Sequence, residues 1–153
     1  MRSLLAALAF FAATASADAQ VRQGLVELGG AASFTSTEGF TVFQFAPAVG
    51  YFFTDALEAG LRLNYVKAES LDGNGALFVF GAYHFSRPGQ TTVPFLEANL
   101  GTSLTGDSDL VFGGRGGAKF FFLPGGALVA DVFVNTTGDV TTVGAEAGVS
   151  IFL

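Results

Sequence analysis

His84-Phe85-Ser86 sets the chain's one histidine two residues before a hydroxyl. On an extended strand, residues i and i+2 share a face. The imidazole could then act as a base toward Ser86 Oγ, the arrangement of nucleophilic acyl transfer. Such a pair also needs a third group to orient the imidazole, and no acid stands near it in the chain. Arg87-Pro88-Gly89 follows at once, which puts the pair at a turn. Asp107-Ser108-Asp109, preceded by Gly106, offers oxygens to a divalent cation. It has neither the length nor the ligand count of a calcium loop and reads as a solvated loop. Gly113-Gly114-Arg115-Gly116-Gly117 does not fit a phosphate-binding loop, because the spacing differs and no helix follows. These residues lead to an expectation of no catalytic residues, no cofactor and no metal.

Eight charges are set singly into apolar stretches: Glu27, Glu58, Arg62, Glu97, Arg115, Lys119, Asp131 and Glu146. To see what holds them, the elements must be drawn. Eight alternating segments are separated by turn signals: 24–35, 40–53, 56–69, 76–86, 92–104, 110–123, 127–135 and 141–153. Their connections alternate in character. Thr54-Asp55, Arg87-Pro88-Gly89-Gln90 and Pro124-Gly125-Gly126 are tight. Ser36–Gly39, Ser70–Gly75, Thr105–Ser108 and Thr136–Asp139 are polar and carry several acids. The last segment shows the period best. Val143, Ala145, Ala147, Val149, Ile151 and Leu153 form one apolar face, and Gly144, Glu146, Gly148, Ser150 and Phe152 form the other. A strand crossing a bilayer needs about 9–11 residues, and this one has the length.

Composition agrees. Half of the 153 residues are hydrophobic, and only 13% are charged, against about 25% in soluble domains. After the first twenty residues no apolar run reaches the length of a membrane helix. An apolar chain of this kind can satisfy its backbone in lipid only as a closed barrel. The fold expected is all-β, an eight-stranded antiparallel up-and-down transmembrane β-barrel over residues 20–153. Arg2, the apolar run Leu4–Ala13, and the sites Ala15-Ser16-Ala17 and Ala17-Asp18-Ala19 read as a cleaved signal peptide over residues 1–19. Export and a barrel together place the chain in the outer membrane of a diderm bacterium. There is no cysteine, so no disulfide and no lipid-modified cysteine. The net charge of −6 and the absence of a basic cluster argue against nucleic acid.

Charge fixes which face points in. A Lys or Arg facing mid-bilayer lipid costs about 2–4 kcal/mol, and a one-residue slip turns every side chain to the other face. Arg62, Arg115 and Lys119 must therefore point inward. Leu57, Ala59, Leu61, Leu63 and Tyr65 then face outward in the third segment, with Leu110, Phe112, Ala118, Phe120 and Phe122 in the sixth. The same rule turns Glu27, Gln44, Glu58, Asn64, Glu97, Asn99, Asp131 and Glu146 inward. Arg62, Arg115 and Glu146 are expected at one depth, with Glu58, Glu97, Asp131 and Lys119 below. A barrel of eight strands is just wide enough for side chains to fill, so these residues are read as a polar plug. Five interior acids against three bases ask for water, protonated carboxyls or a trapped cation. Pro47 cannot donate to a ladder, and a bulge or the periplasmic half of the strand would accommodate it. The fourth segment stays open, since Phe78 and Phe80 share a face with His84. Ten aromatics gather near the tight turns: Tyr51, Phe52, Phe53, Tyr83, Phe85, Phe95, Phe120, Phe121, Phe122 and Phe152. Some of them are expected to form an interfacial girdle, and His84 to sit at that interface.

The stretch Pro47-Ala48-Val49-Gly50-Tyr51-Phe52-Phe53-Thr54-Asp55, followed by Leu57, Ala59 and Gly60, resembles the strand-turn-strand signature of small OmpA/OmpX-like outer-membrane β-barrels. The final Val149-Ser150-Ile151-Phe152-Leu153 is similar to their C-terminal assembly signal, although that signal most often ends in Phe and here Phe152 is penultimate. The resemblance implies a monomeric, non-enzymatic barrel. Its partners would be outer-membrane lipid, lipopolysaccharide and, through the last strand, the barrel-assembly machinery. Longer relatives carry a periplasmic peptidoglycan-binding domain after the barrel, and that function is not expected here, where the sequence ends on the last strand.

Two other readings compete. His84-Phe85-Ser86 resembles the His-x-Ser of lipid A 3-O-deacylases, which are also eight-stranded barrels, but the residue after Ser86 is not that family's Asn. Its place at the tight-turn end is also opposite to the outer leaflet where lipid A lies. A soluble lipocalin-like binding barrel predicts apolar residues inside and polar ones outside, the reverse of this pattern.

Overall fold

The computed structural model describes residues 21–37, 40–68, 73–105 and 109–153. The segment read as a signal peptide lies outside them, as do Asp107-Ser108 and parts of three of the polar loops.

Eight strands follow one another: β1 (Val26–Thr37), β2 (Phe40–Phe52), β3 (Leu57–Ala68), β4 (Asn74–His84), β5 (Thr92–Ser103), β6 (Leu110–Leu123), β7 (Gly126–Thr137) and β8 (Val140–Phe152). Each pairs antiparallel with the next, and β8 returns to β1, so the sheet closes into a barrel. No described segment is helical. Closure gives nearly every backbone amide and carbonyl a partner on a neighbouring strand, so the alternating apolar face is free to point away from the lumen.

The tight turns lie at the end where the described chain starts and finishes. Thr54 makes the β2–β3 turn locally, its hydroxyl accepting from the amides of Ala56 (3.2 Å) and Leu57 (2.9 Å). Val26 and Leu153 exchange backbone hydrogen bonds of 3.0 and 2.9 Å at this end, and Phe152 N donates to Gly125 O at 2.9 Å. At the opposite end Gly138, with φ +55°, makes the two-residue β7–β8 connection, a conformation that glycine adopts without a Cβ penalty.

Register settles the faces. On β4, Phe78, Phe80, Ala82 and His84 are buried inside, while Leu77, Val79, Gly81 and Tyr83 are exposed outside. The fourth strand, open from sequence, is thus ordered by its pairing with β3 and β5. Pro47 brings no bulge. It pairs with Gly30 on β1, and on the other side the β2–β3 ladder lapses opposite it and resumes at Ala48↔Arg62 in the same register. Among the described residues the one register shift is at Phe121/Leu123 in β6, beside the tight β6–β7 turn.

The aromatics near the tight turns divide by parity. Tyr51, Phe53, Tyr83, Phe85 and Phe120 face outward and are more than 40% exposed. Tyr51–Phe53 and Tyr83–Phe85 meet edge to face at 5.0 and 4.9 Å. Phe52, Phe95, Phe121 and Phe152 turn inward and are buried. Three of the inward rings build a floor: Phe52, Val93, Phe121, Ala127 and Phe152 pack with Val21 from the segment before β1.

Candidate functional site

The lumen is layered. On the aromatic floor stands Lys119 of β6. Its ammonium donates to Glu27 Oε2 of β1 and lies 3.5 Å from Glu58 Oε2 of β3. The rings of Phe52, Phe95 and Phe152 surround the same Nζ at 5.5–5.6 Å, where cation–π attraction helps offset its desolvation. Ser150 Oγ of β8 donates to the other oxygen of Glu27 at 2.6 Å. His84 closes this layer, its Nε2 3.4 Å from Glu58 Oε2. Gly50 on β2 makes the space: a Cβ there would fall on the Glu58 carboxylate.

The next layer toward the loops holds two arginines. Arg62 of β3 grips Glu97 of β5 with both terminal nitrogens, Nη2 to Oε2 at 2.8 Å. Arg115 of β6 donates through Nη1 to Glu146 of β8 at 2.6 Å and to Asp131 of β7 at 3.2 Å. Its Nε lies 3.7 Å from Glu97 Oε1, which joins the two clusters. Gln44 of β2 donates to Glu146 Oε1 at 2.6 Å. Phe80 lies under the Arg62 guanidinium at 4.8 Å and Phe133 under that of Arg115 at 5.3 Å. Charge-assisted and bidentate bonds of this kind are the strong ones. A cavity of about 60 Å³ runs between the layers, room for a few waters. Beyond Arg62 and Arg115 the lumen widens into a cavity of about 830 Å³ at the loop end, walled by Phe78, Phe133, Asn64 and Asn135 among others.

The structure places all eight expected residues, Glu27, Glu58, Arg62, Glu97, Arg115, Lys119, Asp131 and Glu146, around the lumen. Their depths differ from the expectation. Glu97 and Asp131 belong with the arginines rather than with Lys119, because their carboxylates reach back to Arg62 and Arg115. Two members were missed. Ser150 carried no charge to flag it. His84 is not interfacial: it is 1% exposed and stands among Phe52, Phe95 and Glu58.

An acid does stand beside His84, contrary to the reading of the chain alone. Glu58 pairs with Ala82 across β3 and β4, two residues from His84 on the same face. The acyl-transfer arrangement is still not assembled. β4 ends at His84, Ser86 lies beyond it, and neither imidazole nitrogen has a hydrogen-bond partner.

No family model matches the sequence. No curated protein matches it either. Solved structures do. The N-terminal β-barrel domain of Pseudomonas aeruginosa OprF is 19% identical, with a TM-score of 0.63 over 86% of this chain and 98% of that one. Neisserial surface protein A (NspA) is 18% identical, with a TM-score of 0.59 over 83% of this chain and 94% of that one. A chain from the de novo design of transmembrane β-barrels is 14% identical, with a TM-score of 0.58 over 86% of this chain and 98% of that one. With the closed all-antiparallel sheet already in view, these likenesses give the chain the fold of the small eight-stranded outer-membrane β-barrels.

Proposed function

We propose that the chain is a non-catalytic integral protein of the outer membrane of a diderm bacterium, structural or narrowly permeable, with a lumen closed by ion-paired side chains. One observation carries the reading. Outward positions such as Leu61, Val79, Leu96, Phe112, Val132 and Ile151 are apolar and about half exposed, while the charges of the same strands are turned inward, save Lys67 at the loop end of β3. A soluble protein rarely leaves so large an apolar surface uncovered, whereas in lipid it is the stable choice. A water-soluble ligand-binding barrel needs the opposite arrangement.

Arg62 and Arg115, locked to Glu97, Asp131 and Glu146, then act as a crossbar. Water and small ions pass only where these pairs part. The outer-membrane lipids and lipopolysaccharide are the surroundings the apolar belt fits. Export through a cleaved leader over residues 1–19, delivery of β8 to the barrel-assembly machinery, and a monomeric state complete the proposal. His84, unbonded to any hydroxyl, supports no acyl transfer.

The test is fractionation followed by gel mobility in cold and boiled SDS, then bilayer conductance of the folded band. A heat-shifted band in the outer-membrane fraction with small conductance is expected. A single unshifted band in the periplasmic fraction would overturn the membrane reading, and release of acyl chains from lipid A would overturn the non-catalytic one.

A further inference from the structure

His84 is buried at 1% exposure with both ring nitrogens unpartnered. A buried polar group left so is costly, and a bound water or ion is one way in which that cost is met. Its Nε2 stands 3.4 Å from Glu58 Oε2, in poor geometry for a hydrogen bond. That spacing fits something else. Two ligand atoms bound to one tetrahedral metal at about 2.0–2.1 Å lie about 3.3 Å apart. One ligand atom each from Glu27, Glu58 and His84 falls within 4.8 Å of the others.

We infer that Glu27, Glu58 and His84 form a binding site for one divalent transition-metal ion of the Zn²⁺ class, which Lys119 occupies in the metal's place when the ion is absent. Three further observations support it. Among the described residues, five lumen carboxylates face only Arg62, Arg115 and Lys119 as bases, so the lumen carries an excess of negative charge that draws a cation. Ser150 already holds Glu27 by its Oε1 and leaves Oε2 for the ion, the kind of orienting bond that metal ligands receive. The cavity between the layers supplies room for a water as fourth ligand. One imidazole with two carboxylates favours Zn²⁺ or Co²⁺ over the hard cations Ca²⁺ and Mg²⁺, which prefer all-oxygen sites.

Lys119 Nζ touches both carboxylates, on Glu27 Oε2 and Glu58 Oε2. Ion and ammonium therefore compete for the same oxygens. The site is a cation seat with two alternative occupants, and removing the lysine strengthens metal binding.

The experiment uses the full mature barrel, refolded in detergent micelles after chelator treatment, with and without Zn²⁺ or Co²⁺. Folding is read independently by the heat-shifted band. Wild type is expected to retain about one metal per barrel and to show Co²⁺ absorption typical of nitrogen–oxygen ligation. His84→Phe and Glu58→Gln should weaken binding by at least about tenfold, and Lys119→Met should strengthen it. If His84→Phe fails to fold, wild type and Lys119→Met still decide. A folded wild type and a folded Lys119→Met that retain no Zn²⁺ and give no Co²⁺ spectrum overturn the site. So does equal Co²⁺ binding by a folded His84→Phe.

Discussion

Glu97 and Arg115 are direct cross-strand partners on β5 and β6, yet each gives its shortest ion-pair bonds to a residue two strands away. Glu97 takes both terminal nitrogens of Arg62 on β3, and Arg115 takes Glu146 on β8. The local pair keeps only a 3.7 Å contact. Bonds that skip a strand cross the lumen rather than run along its wall, so the same ion pairs both fill the barrel and brace it.

Arg115→Ala should disrupt this layer and open it. It leaves Glu146 and Asp131 buried without their cation, and breaking a buried pair from one side costs about 3–5 kcal/mol. The temperature of the gel-mobility shift should fall, and single-channel conductance should rise. An unchanged shift together with unchanged conductance would remove Arg115 from the crossbar.

Arg62 and Glu97 should behave as a unit. Either Arg62→Met or Glu97→Met alone strands a charge and should cost about 3–5 kcal/mol. The double variant should cost much less than the sum, because no charge is left alone. Urea unfolding in micelles or vesicles measures the cycle. Additive losses would mean that the bidentate contact carries no coupling.

Gly50→Ala should displace Glu58, since the added Cβ falls on its carboxylate. Overpacking of this kind costs about 1–3 kcal/mol. A second substitution, Glu58→Ala, should recover part of the loss by emptying the contested space. Without that recovery, the glycine is required for some reason other than the Glu58 side chain.

Phe152→Ala should open the floor. The ring is buried and packs on Phe121 at 5.1 Å and Phe52 at 6.3 Å. Deleting a core phenylalanine costs about 3–5 kcal/mol. Leu153→Ala, at an exposed neighbour, should cost far less in unfolding. Equal losses at the two positions would contradict the inward and outward assignment of the terminal strand.

Val132→Arg tests the outer face. Val132 is 60% exposed and sits beside Asp131, whose side chain points the other way. In a bilayer the substitution should cost about 2–4 kcal/mol. A soluble barrel would accept it with little change, so the same denaturant measurement separates the two environments.

The sequence by itself determined the strand count, the strand ends to within a few residues, and which face of seven of the strands turns inward. The reason is physical: alternation has a period of two, and a misplaced charge such as Arg62 or Lys119 in lipid is too costly to allow a slip. Arg62, Arg115 and Lys119 are therefore legible one strand at a time. What lies at the same depth across the barrel is not legible that way, because it depends on the stagger between strands that no single strand encodes. Only the tertiary structure moved Glu97 and Asp131 up to the arginines, brought Glu58 beside His84 and Lys119, and separated the lumen-facing rings Phe52, Phe95, Phe121 and Phe152 from the outward-facing ones.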